Sequence, residues 1–489
     1  MNASVRIPPR VAIIGAGFSG IAAAVALLRR GIDDFVIFEQ APGLGGTWWH
    51  NRYPGAEVDL ESHIYSFSFE RHDWTRTHAD WRELRGYLEG VAQKWDLPRR
   101  IRFNETVQDV SWSDTDHTYK LVTSSGEDHG TFTAVISAVG FLNIPVVPPF
   151  ARGEHDFQGA MCHTSRWIDG LDMTGKKVGV VGTGSSAVQI VTEAEKVASE
   201  VKIFQLEPNW ILPKNSRDFT PTERRLNRNP LVYWWRRYKL YYEYDVRQLT
   251  SGHARANGKS NRKRGELSRA FLRRELGDRP DLMELATPDF AFEARRTVLS
   301  DTYYAALRNP KVTLVPHGVK GLTKTGAIDA NGDEHELDII VMATGFDAAN
   351  YLGNFEVHGQ RGAELHSAWA GEPEAFLGMM VPGFPNFFIM YGPNTNSSPL
   401  VSFYQAQASF AAGLISRAAK EGKTVIDVRR SAFVIYNDLI QAQLAKTVWA
   451  TTRNYFQSGT GKIVSQWPFG ATPYILGTKV LRRIAVRLS

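Results

Sequence analysis

Cysteine is almost missing from this sequence: Cys162 is the only one in 489 residues. No intrachain disulfide can form. A CxxC zinc site and a dithiol–disulfide redox mechanism are excluded with it, and no metal centre is expected. This usage fits a cytoplasmic protein. Low-complexity tracts and collagen-like or heptad repeats are missing too. Charge of one sign is scarce, with 57 Lys and Arg against 51 Asp and Glu, a net +6. That small excess suits an anionic small ligand. The basic residues do not alternate with aromatics as in a base-stacking platform, so no nucleic-acid partner is expected. Met1–Arg10 is short and polar and carries no secretory apolar core. Val11–Leu28 approaches a membrane span by length, but Gly15, Gly17 and Gly20 interrupt its first half. The chain reads as soluble, with no membrane span.

The length allows two or three domains and a sizeable core. The apolar run Val11–Ile14 leads into Gly15-Ala16-Gly17-Phe18-Ser19-Gly20, and an Ala-rich helix follows to about Arg30. A second strand, Phe35–Phe38, ends at Glu39. This is a βαβ unit with G-x-G-x-x-G at its turn and an acidic residue about 20 positions on, placed to bind a ribose hydroxyl. The same pattern returns later. Lys177–Val181 is a short apolar run, Gly182-Thr183-Gly184-Ser185-Ser186-Ala187 is a G-x-G-x-x-A turn, and a helical pattern starts at Val188. Two such units in this order imply FAD first and a nicotinamide cofactor second. The expected fold is α/β, with two Rossmann-like dinucleotide-binding domains and a helical insertion.

Two stretches are not required by generic strand or helix chemistry. Gly45–Asp59, GGTWWHNRYPGAEVD, is too rich in Gly, Pro and aromatics for a regular element. Phe157-x-Gly159-x-x-x-His163-x-x-x-Trp167 runs directly before the second Gly turn. The latter resembles the FxGxxxHxxxW(P/D) fingerprint of type I Baeyer–Villiger monooxygenases. It departs at its last position, where Ile168 stands and Asp169 comes one step late. The former is similar to that family's [AG]GxWxxxx[FY]P[GM]xxxD motif at every defined position. The resemblance implies FAD, NADPH and O2, with one oxygen atom inserted beside the carbonyl of a small-molecule ketone through a C4a-peroxyflavin.

By that likeness Gly46, Thr47, Trp48, Asp59, Tyr65 and Val107 contact the flavin cofactor with Gly15, Gly17, Ser19, Gly20 and Glu39. Gly182, Thr183, Gly184, Ser185, Ser186, Gln189, Leu206, Glu207, Arg295 and Tyr455 fall at nicotinamide-binding positions. Arg296 aligns with the catalytic arginine, and Asp59 orients it. His163 and Trp167 act in the linker that couples the domains. Relatives carry an arginine for the 2′-phosphate where Leu206 stands, followed by a small hydroxyl residue where Glu207 stands. A carboxylate there accepts from a free 2′-hydroxyl and repels a phosphate, so NADH use is open beside NADPH, and Arg295 compensates in part for Leu206. Two other readings stay open. One is an N- or S-oxidising relative, favoured by Ile168. The other is a flavoprotein that binds without oxygenating.

The rest of the chain fills in around these motifs. Asp80–Leu97 has helical spacing, Ile101–Val122 and Thr131–Val139 read as strands, and Ile144–Pro149 is a stiff linker. Residues 213–295 are basic and aromatic, punctuated by Gly252 and Gly258, and read as a solvated helical insertion. Glu336–Met342 is a strand running into the turn Ala343-Thr344-Gly345, where the chain crosses back. Gln405–Lys420 is an amphipathic helix. The expected ranges are 1–143 for the first part of the FAD domain and 144–212 for the first part of the nicotinamide domain. The helical subdomain is 213–295, the nicotinamide domain resumes over 296–343, and the FAD domain resumes over 344–489.

Overall fold

The computed structural model describes residues 8–246, 254–256 and 258–489. Most of Met1–Arg10 lies outside these, as does Gly252. Two parallel five-stranded sheets organise the chain. The first runs Phe387–Ile389, Ala134–Ser137, Val11–Ile14, Phe35–Glu39, Ile101–Phe103 in spatial order. The second runs Val312–Val315, Glu200–Phe204, Lys177–Val181, Ile339–Met342, Ala160–His163. Each is built around the strand that precedes a Gly turn. Val11–Ile14 is buried at every position because both sheet faces are covered, which is why it reads as an unbroken apolar run. The Ala-rich helix Phe18–Leu28 is buried over most of its length and packs along helix Leu400–Glu421. Small side chains let the two helices approach.

The second sheet is inserted into the first. The chain leaves after Ala134–Ser137 and returns for Phe387–Ile389, so the two crossings form a hinge. They pair with each other: Val146 N–H donates to Gly345 O at 2.9 Å, Asp347 N–H to Ile144 O at 2.9 Å, and Thr344 Oγ1 to Val146 O at 2.5 Å. His163, at the end of its edge strand, adds a fourth tie. Its Nδ1 accepts from Ser165 N–H at 3.1 Å, which leaves the proton on Nε2 to donate to Gly345 O at 3.1 Å. The Gly345 carbonyl therefore holds one group from the outgoing crossing and one from the second sheet.

Three expectations are corrected. Thr131–Val139 is not one strand: Thr131–Phe132 pairs antiparallel with Tyr119–Lys120, while Ala134–Ser137 joins the parallel sheet. Thr133 between them donates to Arg10 O instead of extending either ladder. Glu336–Met342 likewise divides, with Glu334–Glu336 in a small antiparallel sheet. The loop expected to be irregular contains one helical turn, Thr47–His50, entered through Gly46 at φ 55°. The described part of 213–295 carries the helices Pro221–Asn227, Pro230–Tyr241, Lys259–Leu276 and Pro280–Ala286, and Gly258 caps the third of them. No helix among the described residues is long and apolar enough to cross a membrane.

Burial lowers the pKa of His163 from 6.5 to about 4, against the opposing bond to Gly345. The hinge thus needs neutral imidazole. As pH falls from 6.5 towards 4 the unfolded chain takes up this proton first, so stability falls in that window and is fully present above it. His163→Gln keeps a donor for Gly345 O but does not titrate. Its urea midpoint should drop less than that of the wild type between pH 7 and pH 5; an equal drop would contradict the assignment.

Candidate active site

The first Gly turn is closed by backbone. Gly15 has φ 103°, and a Cβ there would lie 2.8 Å from Ala138 O. A Cβ on Gly20 would lie 1.9 Å from Gly15 O, so helix and strand pack only through glycine. Gly46 faces Gly17 backbone to backbone, its own Cβ position 3.0 Å from Gly17 Cα. Helix Phe18–Leu28 has no side-chain cap, so its first N–H groups stay available to an anion. Ser19 Oγ is committed to Ala138 O at 3.0 Å. Glu39 Oε2 accepts from Ala16 N–H at 2.7 Å and Oε1 from Ala41 N–H at 2.9 Å. Burial raises its pKa and these backbone donors oppose the rise. Each carboxylate oxygen keeps a lone pair for a ribose hydroxyl. Val107 is buried two residues beyond Glu105, whose N–H donates to Glu39 O. This cradle fits the pyrophosphate and ribose of FAD.

The second turn repeats the design. A Cβ on Gly182 would meet Ala343 O at 2.6 Å, while one on Gly184 would meet nothing within 4 Å. Helix Ser185–Val197 also begins without a side-chain cap, and the buried Ser185 Oγ has no partner. An anion at this end would find free N–H groups and a free hydroxyl, which fits a dinucleotide. Ser186 and Gln189 are engaged elsewhere. Tyr53 donates its one hydroxyl proton to Gln189 Oε1 at 2.7 Å and accepts from Ser186 Oγ at 3.1 Å, and Gln189 Nε2 donates to Glu57 O at 3.0 Å. Here their side chains dock the Gly45–Asp59 loop onto helix Ser185–Val197. Gly55 permits this approach, since a Cβ there would sit 2.9 Å from Gln189 O.

At the end of that loop, Asp59 Oδ2 accepts from Arg296 Nη2 at 2.5 Å. Arg296 is 47% exposed while Asp59 is 20% exposed. Surrounding protein disfavours the charge, but the Asp59 carboxylate outweighs it and holds the guanidinium above its ordinary pKa. The same charge pulls against the burial that raises Tyr65 (to about 12), Tyr391 and Tyr455, so all three hydroxyls keep their protons near neutrality. Tyr65 OH accepts from Trp48 Nε1 at 3.2 Å and meets Phe18 edge-on at 5.1 Å. Thr47 is exposed beside buried Trp48. Asp59 and Arg296, expected as a pair, are thus brought together, and Tyr65 and Tyr455 lie within reach of the Arg296 charge.

The fingerprint residues lie apart from this pair. Phe157 packs beneath the second sheet with Phe204, Leu337 and Ile340, and a Cβ on Gly159 would strike Asp338 O at 2.3 Å. Trp167 is half-buried against the core of the second sheet. Leu206 is 84% exposed, and Glu207 forms an ion pair with Arg295.

Sequence reasoning missed the residues that aim Arg296. Asn454 Nδ2 donates to Ala294 O at 3.0 Å, Asn261 Nδ2 to Phe292 O at 2.8 Å, and Arg264 pairs with Glu293. It also missed Lys214, whose 2% exposed side chain reaches Glu57 Oε1 at 2.7 Å. No local signal marks any of them, because each acts across a long sequence separation. Lys214→Met leaves the Glu57 carboxylate with only the more exposed Arg76 and should cost about 2 kcal/mol. Urea unfolding at pH 7 measures this; a loss within error would contradict the role.

Residues 12–303 match the pyridine nucleotide-disulphide oxidoreductase family. A Baeyer–Villiger monooxygenase of Pseudomonas aeruginosa is 34% identical over 466 residues, covering 94% of this chain and 87% of that protein. One from Streptomyces coelicolor is 35% identical over 471 residues, covering 94% and 88%. Among solved structures, OTEMO in complex with FAD and NADP superposes with a TM-score of 0.88 at 26% identity, covering 98% of this chain and 99% of the other.

Proposed function

From the premise that the chain belongs to the type I Baeyer–Villiger monooxygenases, we propose that it inserts one oxygen atom of O2 beside the carbonyl of a small-molecule ketone, giving an ester or lactone. FAD is its resident cofactor, held at the first Gly turn, and NADPH is the reductant, held at the second. When bound, FAD accepts the hydride and supplies the oxygen chemistry.

The reading rests on one observation: a charged guanidinium fixed at the seam of the two halves by Asp59. Oxygen transfer to a carbonyl passes through negative charge on oxygen. Arg296 stays charged at every working pH and presents several N–H donors in a fixed plane. Donors oriented in advance stabilise such charge without reorganising at the moment of reaction. Asp59 occupies one Nη and so sets the direction of the others. The neutral Tyr65 and Tyr455 hydroxyls lie near Arg296. Ranges 1–143 and 344–489 form the FAD domain in this proposal, 144–212 and 296–343 the nicotinamide domain, and 213–295 the helical subdomain that braces Arg296. The protein works in the cytoplasm without a nucleic-acid partner.

Arg296→Ala should retain stoichiometric FAD, read from its absorbance. Its ester yield from a ketone panel, read by mass spectrometry, should fall at least about a hundred-fold, the loss typical of one such donor. Full activity in the variant would contradict the role of Arg296. A sulfide panel run beside the ketones tests the reaction class: S-oxide without ester in the wild type would favour the heteroatom-oxidising reading.

A further inference from the structure

In a βαβ dinucleotide unit, the end of the second strand meets the adenosine ribose. A carboxylate there accepts from a free 2′-hydroxyl, and an arginine nearby receives a 2′-phosphate. In this chain that strand is Glu200–Phe204, and the three residues after it are Gln205, Leu206 and Glu207. Gln205 is buried and its Nε2 donates to Leu285 O at 2.8 Å, so it faces the core. Leu206 is 84% exposed and brings no charge. Glu207 remains. Its backbone is tied to the Gly turn, because Thr183 Oγ1 donates to Glu207 O at 2.8 Å and Asn209 Nδ2 donates to Thr183 O at 2.9 Å. Its carboxylate pairs with Arg295. Arg295 lies over the Phe290 ring at 4.7 Å and is 29% exposed, so it is held against protein rather than free to swing.

The corner therefore holds one acid and one base that already neutralise each other. A ribose with a free 2′-hydroxyl donates to Glu207 through a lone pair that the ion pair leaves open. A 2′-phosphate must instead take Arg295 from Glu207 and then sit beside the released carboxylate. The attraction that ordinarily favours the phosphorylated nucleotide is spent on Glu207.

Resting on the monooxygenase reading above, we propose that the Glu207–Arg295 ion pair removes the preference for a 2′-phosphate, so that this site takes NADH as well as NADPH. Glu207 is the residue that sets this specificity.

Dissociation constants of NAD+ and NADP+ measured by titration calorimetry on the oxidised, FAD-loaded protein test the proposal without turnover. The two constants in the wild type should lie within about thirty-fold of each other; a larger ratio in either direction overturns the proposal. Glu207→Gln frees Arg295 and removes the repelling charge. It should move the ratio towards NADP+ by about ten-fold or more, the scale of one hydrogen bond to a charged group. A smaller shift overturns the role of Glu207. Arg295→Gln, with retained flavin absorbance as the check on folding, should weaken NADP+ about ten-fold and change NAD+ little; equal weakening of both counts against the proposal. A protein that oxygenates ketones but binds only NADP+ sinks this inference alone. One that binds both nucleotides alike and makes no ester sinks the functional reading alone.

Discussion

The structure depends on a contact between two side chains 237 residues apart, the Asp59–Arg296 ion pair. Each partner comes from a different half of the molecule. Asp59 ends the Gly- and aromatic-rich loop that leaves the first βαβ unit. Arg296 lies in the segment that returns from the helical insertion to the second sheet. A guanidinium at such a seam would ordinarily swing into solvent, since it carries several rotatable bonds and large rotamer entropy. The carboxylate fixes it, and nearby protein strengthens the attraction beyond its worth on an open surface.

Much of the remaining architecture fixes those two ends relative to one another. Tyr53, Glu57 and Gly55 lay the loop on helix Ser185–Val197, and Lys214 closes the same junction from the start of the insertion. Asn261 and Arg264 hold the segment at Phe292 and Glu293, and Asn454 holds it at Ala294 from the far end of the chain. The paired crossings at 144–147 and 344–347 let one half be inserted in the other without letting them drift apart. His163 belongs to this hinge, which explains why it lies away from the ion pair. The helical insertion is thus a brace for Arg296 as well as a solvated surface.

The two sheets were legible because each follows a local rule: an apolar run, a glycine pattern of fixed spacing, then a helical period. Glu39 and Gly182 could be placed on that basis alone. Arg296, Asp59 and Tyr455 were legible only through resemblance, since nothing near an Arg-Arg pair in a sequence says what it will face. Ser186 and Gln189 were expected at the nucleotide turn by resemblance; the contact of their side chains with a tyrosine more than 130 positions earlier had no local signal. Long-range partners such as Lys214 and Asn454 leave no periodic trace. The break at Thr133 was also invisible, because β-prone residues continue across it and only the competition of two sheets for one segment decides the bend.

A double-mutant cycle on kcat for ester formation tests the central claim most directly, with Asp59→Ala, Arg296→Ala and the pair compared on FAD-loaded protein. If Asp59 acts by holding Arg296, removing it from a protein that already lacks Arg296 should cost little, and the double variant should match Arg296→Ala closely. Fully additive losses would mean that the two residues act independently and would contradict the account.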